Sequence, residues 1–231
     1  MTDLTSSSQQ GRKSTINLVR SSHPWTEADS AAGYVLKYIV PMRRILTDVV
    51  GSQEVADGAL KLLLGHLVSA GFGDQKSGKL RDFLVRGVRS AAKTAVADLP
   101  DDKRPDLNLD VATLESKTWL TYWREGLLER AWRALERLEH SSTDKPYYTV
   151  LFSATSGEAK TTPALVEKIH GEIGQKLDEA TVQQFLTESR TMFAQMIADE
   201  VAETIKSPTS EDVKREIALL GLSKAFSGIT V

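Results

Sequence analysis

The sequence predicts an all-α protein made of two small helical domains joined by a linker. Three observations carry that expectation. Apolar residues recur at spacings of three and four through nearly every segment after residue 14, the period of a helix buried on one face. No stretch alternates apolar and polar residues as a half-buried strand does. Near the middle, "DLPDDKRPDLNLD" (residues 98–110) carries two prolines and alternating charges, with no stripe to bury. The expected organisation is a flexible tail over 1–14, a first helical domain over 15–97, a linker over 98–112, a second helical domain over 113–206 and a C-terminal helical extension over 207–231.

The tail, "MTDLTSSSQQGRKS", is polar and has no apolar run of signal-peptide type. "AAGYVLKYIVPMRRILTDVV" reads as a helix broken or kinked near Pro41, because proline lacks the amide proton and crowds the preceding turn. Trp25, after Pro24, is placed over the end of the bundle. "QEVADGALKLLLGHLVSA" is a helix with Val55, Ala59, Leu62, Leu63 and Leu67 near one face. The turn "GFGDQKSG" leads to a helix whose apolar stripe is Leu80, Phe83, Leu84 and Val88.

Beyond the linker, "LESKTWLTYWREGLLERAWRALERLE" places Leu120, Trp123, Leu127, Ala131, Leu135 and Leu138 at helical spacing. Its tryptophans Trp119, Trp123 and Trp132 read as core. "KPYYTVLFSAT" is a short helix. In the next segment Pro163 suits a first helical turn, Gly174 a left-handed helix end, and Asp178 the cap of a second helix. "SPTSEDVKREIALLGL" adds a last helix, with Pro208 near its start and Gly221 at its end.

Composition narrows the function. The net charge of −2 gives no global attraction to nucleic acid, so any such binding must come from local patches. The absence of cysteine excludes disulfides, thiolate chemistry and cysteine-ligated metals. His23, His66, His140 and His170 have no partner at ligand spacing. "GFGDQKSGK" lacks the spacing of a phosphate-binding loop, and no G-x-S-x-G elbow is present. The expectation is therefore a non-enzyme with no metal and no cofactor. No run approaches the ~20 apolar residues of a membrane span, so no membrane partner and a cytoplasmic location are expected.

Two patches carry candidate chemistry. Between Lys76 and Lys93 stand six cations, Lys76, Lys79, Arg81, Arg86, Arg89 and Lys93, against the single acid Asp82. Arg86, Arg89 and Lys93 share one helix face and could follow a phosphate backbone; a solvated charged face is the plainer alternative. The second patch is the helix–turn–helix pattern over 161–205. Val182, Phe185, Leu186, Ser189, Phe193 and Met196 fall on one side of its second helix. Gln183, Gln184, Thr187, Thr191 and Ala194 fall on the other, and Gln and Thr can pair with base edges. A plain helical hairpin is the equal alternative. From Lys160 to Ile205 there are four basic residues against eight acidic ones.

In this order the segments resemble extracytoplasmic-function (ECF) sigma factors, in particular the long variants typical of planctomycetes. "YVLKYIVP" is similar to the opening helix of region two. "EVADGALKLLLGHLVSAGFGDQKSGKLRDFLVRGVRS" is similar to the polymerase-binding helix, turn and minus-ten segment, although Leu60 stands where the family usually has Gln. "YWREGLLERAWRALERLE" resembles the helix that opens region four, and "KPYYTVL" and "DEVAETIKSPTSEDVKREIALLGL" follow the pattern to residue 226. The resemblance implies core RNA polymerase and promoter DNA as partners, with an anti-sigma or other regulatory protein as a further one. It implies polymerase contacts at Glu54, Asp57 and Lys61. The DNA contacts it implies are Lys79, Arg81, Arg86, Arg89 and Lys93 at the minus-ten element, and Gln183, Gln184, Thr187, Arg190 and Thr191 on the recognition helix. The alternative is a sigma-like interaction protein that binds polymerase or a regulator without reading a promoter.

Overall fold

The computed structural model describes residues 15–20, 25–73, 78–141, 145–157 and 161–230. The expected tail, His23 and Lys76 lie outside the described residues. Within them the chain is helical, with no strand beyond two isolated bridges, Thr15 with Thr230 and Lys79 with Ile205. The helices are α1 (Ala31–Val35), α2 (Ile39–Val50), α3 (Gln53–Ala70), α4 (Leu80–Ala97), α5 (Lys117–Ser141), α6 (Tyr147–Thr155), α7 (Thr162–Ile173), α8 (Glu179–Glu203) and α9 (Ser210–Leu219).

The break expected at Pro41 falls earlier. α1 ends at Val35, a single 3-10 turn covers Leu36–Tyr38, and α2 starts at Ile39. Pro41 thus occupies the first turn of α2, where backbone amides have no intrahelical acceptor to lose. Gly51, at φ 67°, ends α2, and the Ser52 hydroxyl accepts from the Val55 amide to start α3. The buried stripe of α3 is Ala56, Ala59, Leu60, Leu63 and Leu67, because the helix packs against both α2 and α4. Leu62 lies about 100° around the helix from Leu63 and is 42% exposed, outside the stripe expected of it. On α4 the expected Leu80, Leu84 and Val88 are buried, with Phe83 packed at their edge. Trp25 is fully buried, meets Phe72 edge-on at 4.8 Å and lies 5.6 Å from the Phe83 ring.

Residues 98–112 are not a free linker. Two 3-10 turns, Asp101–Lys103 and Leu109–Ala112, lie along the bundle, and the Asn108 amide donates to the Val49 carbonyl at 2.9 Å. Leu107, Leu109 and Val111 pack on the first core and Ala112 is buried in it. These four apolar residues are few, but they are enough to seat a segment that lacks helical periodicity.

The division of the chain therefore differs from the expected one. One core runs from Ile16 to Ala131 and takes in Ala194 to Leu222. A second is built from Leu135, Tyr147, Val150, Leu151, Leu165, Ile169, Val182 and Leu186. The boundary crosses α5 between Ala131 and Leu135, and α8 between Leu186 and Ala194. These two helices have 25 residues each, some 37 Å at 1.5 Å per residue, and each supplies both cores. Trp119 and Trp123 are buried in the first core, where the Trp123 ring stacks on Tyr38 at 4.7 Å. Arg130 fixes the α5–α8 crossing, with its Nε donating to Glu200 at 2.6 Å and its guanidinium 4.8 Å from the centre of the Tyr38 ring. Nor is the segment after residue 206 an appendage. α9 opens with a capping box between Thr209 and Asp212, and Val213, Ile217, Leu220 and Leu222 return to the first core.

Candidate functional site

The basic block lies on α4 and its approach, and the structure divides it into two sets. Lys79 and Arg81 turn inward toward α9. The Glu216 carboxylate accepts from Lys79 Nζ at 2.5 Å and from Arg81 Nε at 2.8 Å. Arg81 is only 3% exposed, and its Nη1 donates to the Leu114 carbonyl at 2.7 Å. Main-chain bonds flank this clasp, from the Leu80 amide to Thr204 and from the Lys206 amide to Gly78. Burial by itself would raise the Glu216 carboxyl. The bonds and charges of Arg81 and Lys79 outweigh it and hold the group below the ordinary glutamate value. Arg89 donates to the Leu109 and Ala112 carbonyls, so it secures the 98–112 segment. Lys79, Arg81 and Arg89, assigned from the sequence to DNA, thus hold the protein's own structure. Arg86 and Lys93 are exposed, two helical turns apart, and make no ion pair among the described residues.

The residues assigned to polymerase lie on α3. Glu54 and Lys61 are exposed. Asp57 is engaged by Arg43, whose Nε and Nη2 donate at 2.7 and 2.8 Å, and by Gln53. The hydrogen bonds from Arg43 are the main reason its carboxyl sits below the usual aspartate range. Leu60 is buried in the core and cannot serve as a surface contact. Between α3 and α4 runs a groove of about 500 Å³, lined by Leu62, His66, Arg86, Ser90 and Thr94 over Leu63 and Gly87. A Cβ added at Gly87 would stand 2.8 Å from Leu63 Cδ1, so any larger residue there would push the Leu63 methyl aside. Leu62 and the 75%-exposed Val68 make α3 more apolar outside than its expected role required.

The turn between α7 and α8 follows the sequence closely. Thr161 caps α7 with Pro163 in its first turn, Gly174 ends it at φ 69°, and the Asp178 carboxylate caps α8 by accepting from the Thr181 amide at 2.7 Å. That amide bond is the first cause of the lowered Asp178 pKa. Val182, Leu186 and Ser189 are buried as expected, while Gln183, Gln184, Thr187 and Arg190 are exposed and Thr191 is half-buried. Gln183 donates to the Thr162 hydroxyl at 3.1 Å, and Gln184 to Glu188 at 2.8 Å. Ala194, expected to face outward, is fully buried. At that point α8 leaves the second core for the first, so its buried side changes to the one carrying Ala194, Ile197, Ala198 and Val201.

Among the described residues no group of His, Cys, Asp and Glu could hold a metal ion, and no helix is long and apolar enough to cross a membrane. His66 lines the α3–α4 groove, while His140 and His170 lie exposed on α5 and α7.

No family model, curated protein or solved structure matches the chain.

Sequence reasoning missed Glu216 as the partner of the basic block, and nothing local announces it. It is 135 residues from Arg81, in a charged helix whose polar residues all read as solvated. It also missed Tyr148 and Phe152, although their spacing of four, opposite the spacing of Leu128 and Trp132, was there to find.

Proposed function

We propose that the protein is an ECF-like sigma factor that binds core RNA polymerase and directs it to promoter DNA. The observation that carries this reading is the exposed face of α8 just beyond its capped start. Gln183, Gln184, Thr187 and Arg190 stand together there, within two turns, on a helix whose opposite side is locked into a core. Side chains of these types pair with base edges and phosphates. Arg86 and Lys93 supply the second DNA contact. The outer side of α3, with Glu54, Asp57 and Lys61, supplies the polymerase contact. The order of segments along the chain, which resembles the sigma family from residue 15 to 226, supports the same reading.

The test is run-off transcription with purified core polymerase, the full chain and genomic fragments. Discrete starts that depend on the protein, and that are lost with Gln183→Ala and Arg190→Ala together, are the expected result. A second reading is favoured by one specific observation. Lys79, Arg81 and Arg89 are spent on Glu216 and on main-chain carbonyls, and the segment 160–205 carries twice as many acids as bases. On that reading the protein binds polymerase or a regulatory partner and reads no promoter. Co-purification with polymerase but no transcript from any fragment would select it. Failure to co-purify with polymerase would overturn the first reading and leave only the regulatory-partner form of the second.

A further inference from the structure

A second surface lies between α5 and α6, on residues assigned neither to polymerase nor to DNA. Glu125, Leu128, Glu129, Trp132 and Glu136 share one face of that helix, at spacings of three, four and seven. Tyr148 and Phe152, one turn apart on α6, face them across a groove of about 400 Å³. The rings form an open corner. Tyr148 and Phe152 stack at 5.5 Å, and the Trp132 plane stands at 90° to the first and 86° to the second, 5.9 Å from each. Phe152 is 48% exposed, so the corner opens to solvent. Of the four tryptophans, Trp132 alone is outside the buried set.

The charge around this corner is predominantly negative, with the carboxylates of Glu125, Glu129 and Glu136 in its lining. Arg133 is the single cation among its lining residues, and the Glu129 carboxylate holds it. Glu125 is paired with Arg44. Glu136 has no ion pair among the described residues, which leaves one uncommitted carboxylate at the edge of the aromatic corner. The Tyr148 hydroxyl reports the same field. Burial first, and then the charges of Glu136, Glu139 and Glu172, push its pKa up. Aromatic faces attract cations through their quadrupole, and a carboxylate beside them adds a directed acceptor. Nucleic acid and other polyanions are repelled by the same arrangement. A closed cage would suit a free quaternary ammonium ion. An open corner on a groove between two helices suits a side chain that arrives on a longer segment.

We propose that the α5–α6 groove is a docking site for a basic segment of a partner protein, with one arginine or lysine side chain lying in the Trp132–Tyr148–Phe152 corner and its charged end on Glu136. Leu128 and the ring edges take up the aliphatic part of that side chain. The inference does not depend on the polymerase reading, because none of these residues belongs to the surfaces assigned above.

The probe is a set of labelled short peptide libraries with a fixed central Arg, Lys, Gln or Glu and degenerate flanks, titrated with the full chain by fluorescence polarisation. The Arg and Lys libraries should saturate and weaken as salt rises, while the Gln and Glu libraries should not bind. Glu136→Gln and Phe152→Ala should each weaken binding about two- to fivefold, the range for a partly exposed cation–aromatic contact. Arg133→Gln, which removes the competing cation, should tighten it. All three positions lie at the surface, and unchanged helical circular dichroism checks that the variants fold. Equal binding of the Glu library, insensitivity to Glu136→Gln, or no saturation by any library at millimolar protein would overturn the proposal. Complete displacement of the peptides by tetramethylammonium, at the affinity of the peptides themselves, would overturn the choice of a peptide over a free cation.

Discussion

Replacing Glu216 with glutamine should be among the most damaging single changes outside the apolar core. Its side chain is 2% exposed and faces Arg81 at 4% and Lys79 at 30%, at bond distances of 2.8 and 2.5 Å. Removing one member of a buried ion pair leaves the other charge desolvated without compensation, a loss of about 3–5 kcal/mol. In a chain of this size that lowers the melting temperature by roughly 6–20 °C. The pH dependence gives a second signature. The folded-state pKa of Glu216 lies below its unfolded value, so its stabilisation is complete above about pH 4.3 and is lost as the pH falls through the lower, folded value. The gap between wild type and Glu216→Gln should therefore be widest near neutral pH and narrow on acidification below that point. Arg81→Met with Glu216→Leu should recover most of the loss and stay within about 2 kcal/mol of wild type, since an apolar pair can replace a buried ionic one. The remainder reflects the Leu114 carbonyl, which loses its donor, and Lys79, which loses its carboxylate. The assay is urea unfolding followed by circular dichroism between pH 3 and pH 7, on the two variants and the wild type. A loss under ~1 kcal/mol for Glu216→Gln at neutral pH, or a gap that does not change with pH, would refute the clasp.

Three further outcomes separate the surfaces described above. Arg86→Ala with Lys93→Ala should lower the salt slope of promoter binding by about two, one per phosphate contact, and leave polymerase binding intact; Arg89→Ala should leave the slope unchanged but cost about 1–3 kcal/mol of stability, because the Leu109 and Ala112 carbonyls lose their donor. An unchanged slope in the first variant would return Arg86 and Lys93 to a plain solvated face. Asp57→Arg should abolish polymerase pull-down by placing a cation beside Arg43 on the surface of α3, with the melting curve unaltered in shape; retained pull-down would move the polymerase contact elsewhere. Residues 113–206 expressed alone should bind a hydrophobic dye and unfold without a sharp transition, because Trp119, Trp123 and Ile197 would lose the core they share with α2 and α9. A cooperative transition in that fragment would restore the division expected from the sequence.

Much of the helix inventory was legible because its signals are local. Gly174 and Asp178 end and start helices through their own backbone and side-chain chemistry, and Leu80, Leu84 and Val88 need only a period of 3.6 to declare a buried face. The same locality explains the errors. A period identifies a stripe but not how many neighbours the helix will have. On α3, packed by both α2 and α4, the stripe turned to include Leu60 and release Leu62. On α8, which passes from one core to the next, it turned again and took Ala194 inward.

The candidate surfaces were less legible, for a reason of distance. Charged residues on a helix look alike when each is read against its sequence neighbours. Whether Arg81 meets DNA or Glu216 depends on where α9 returns, and across a separation of 135 residues nothing in the intervening sequence shows it. The sequence alone determined the helical class, where most helices cap and turn, and which residue types were available for nucleic acid. Tertiary structure alone decided that residues 98–112 lie against the bundle, that α5 and α8 join two cores, and that Arg86 and Lys93 face solvent while Arg81 and Lys79 do not. The physical reason is that a helix forms by contacts three and four residues apart, whereas a charge is committed or left free by whatever the fold brings within about 4 Å of it.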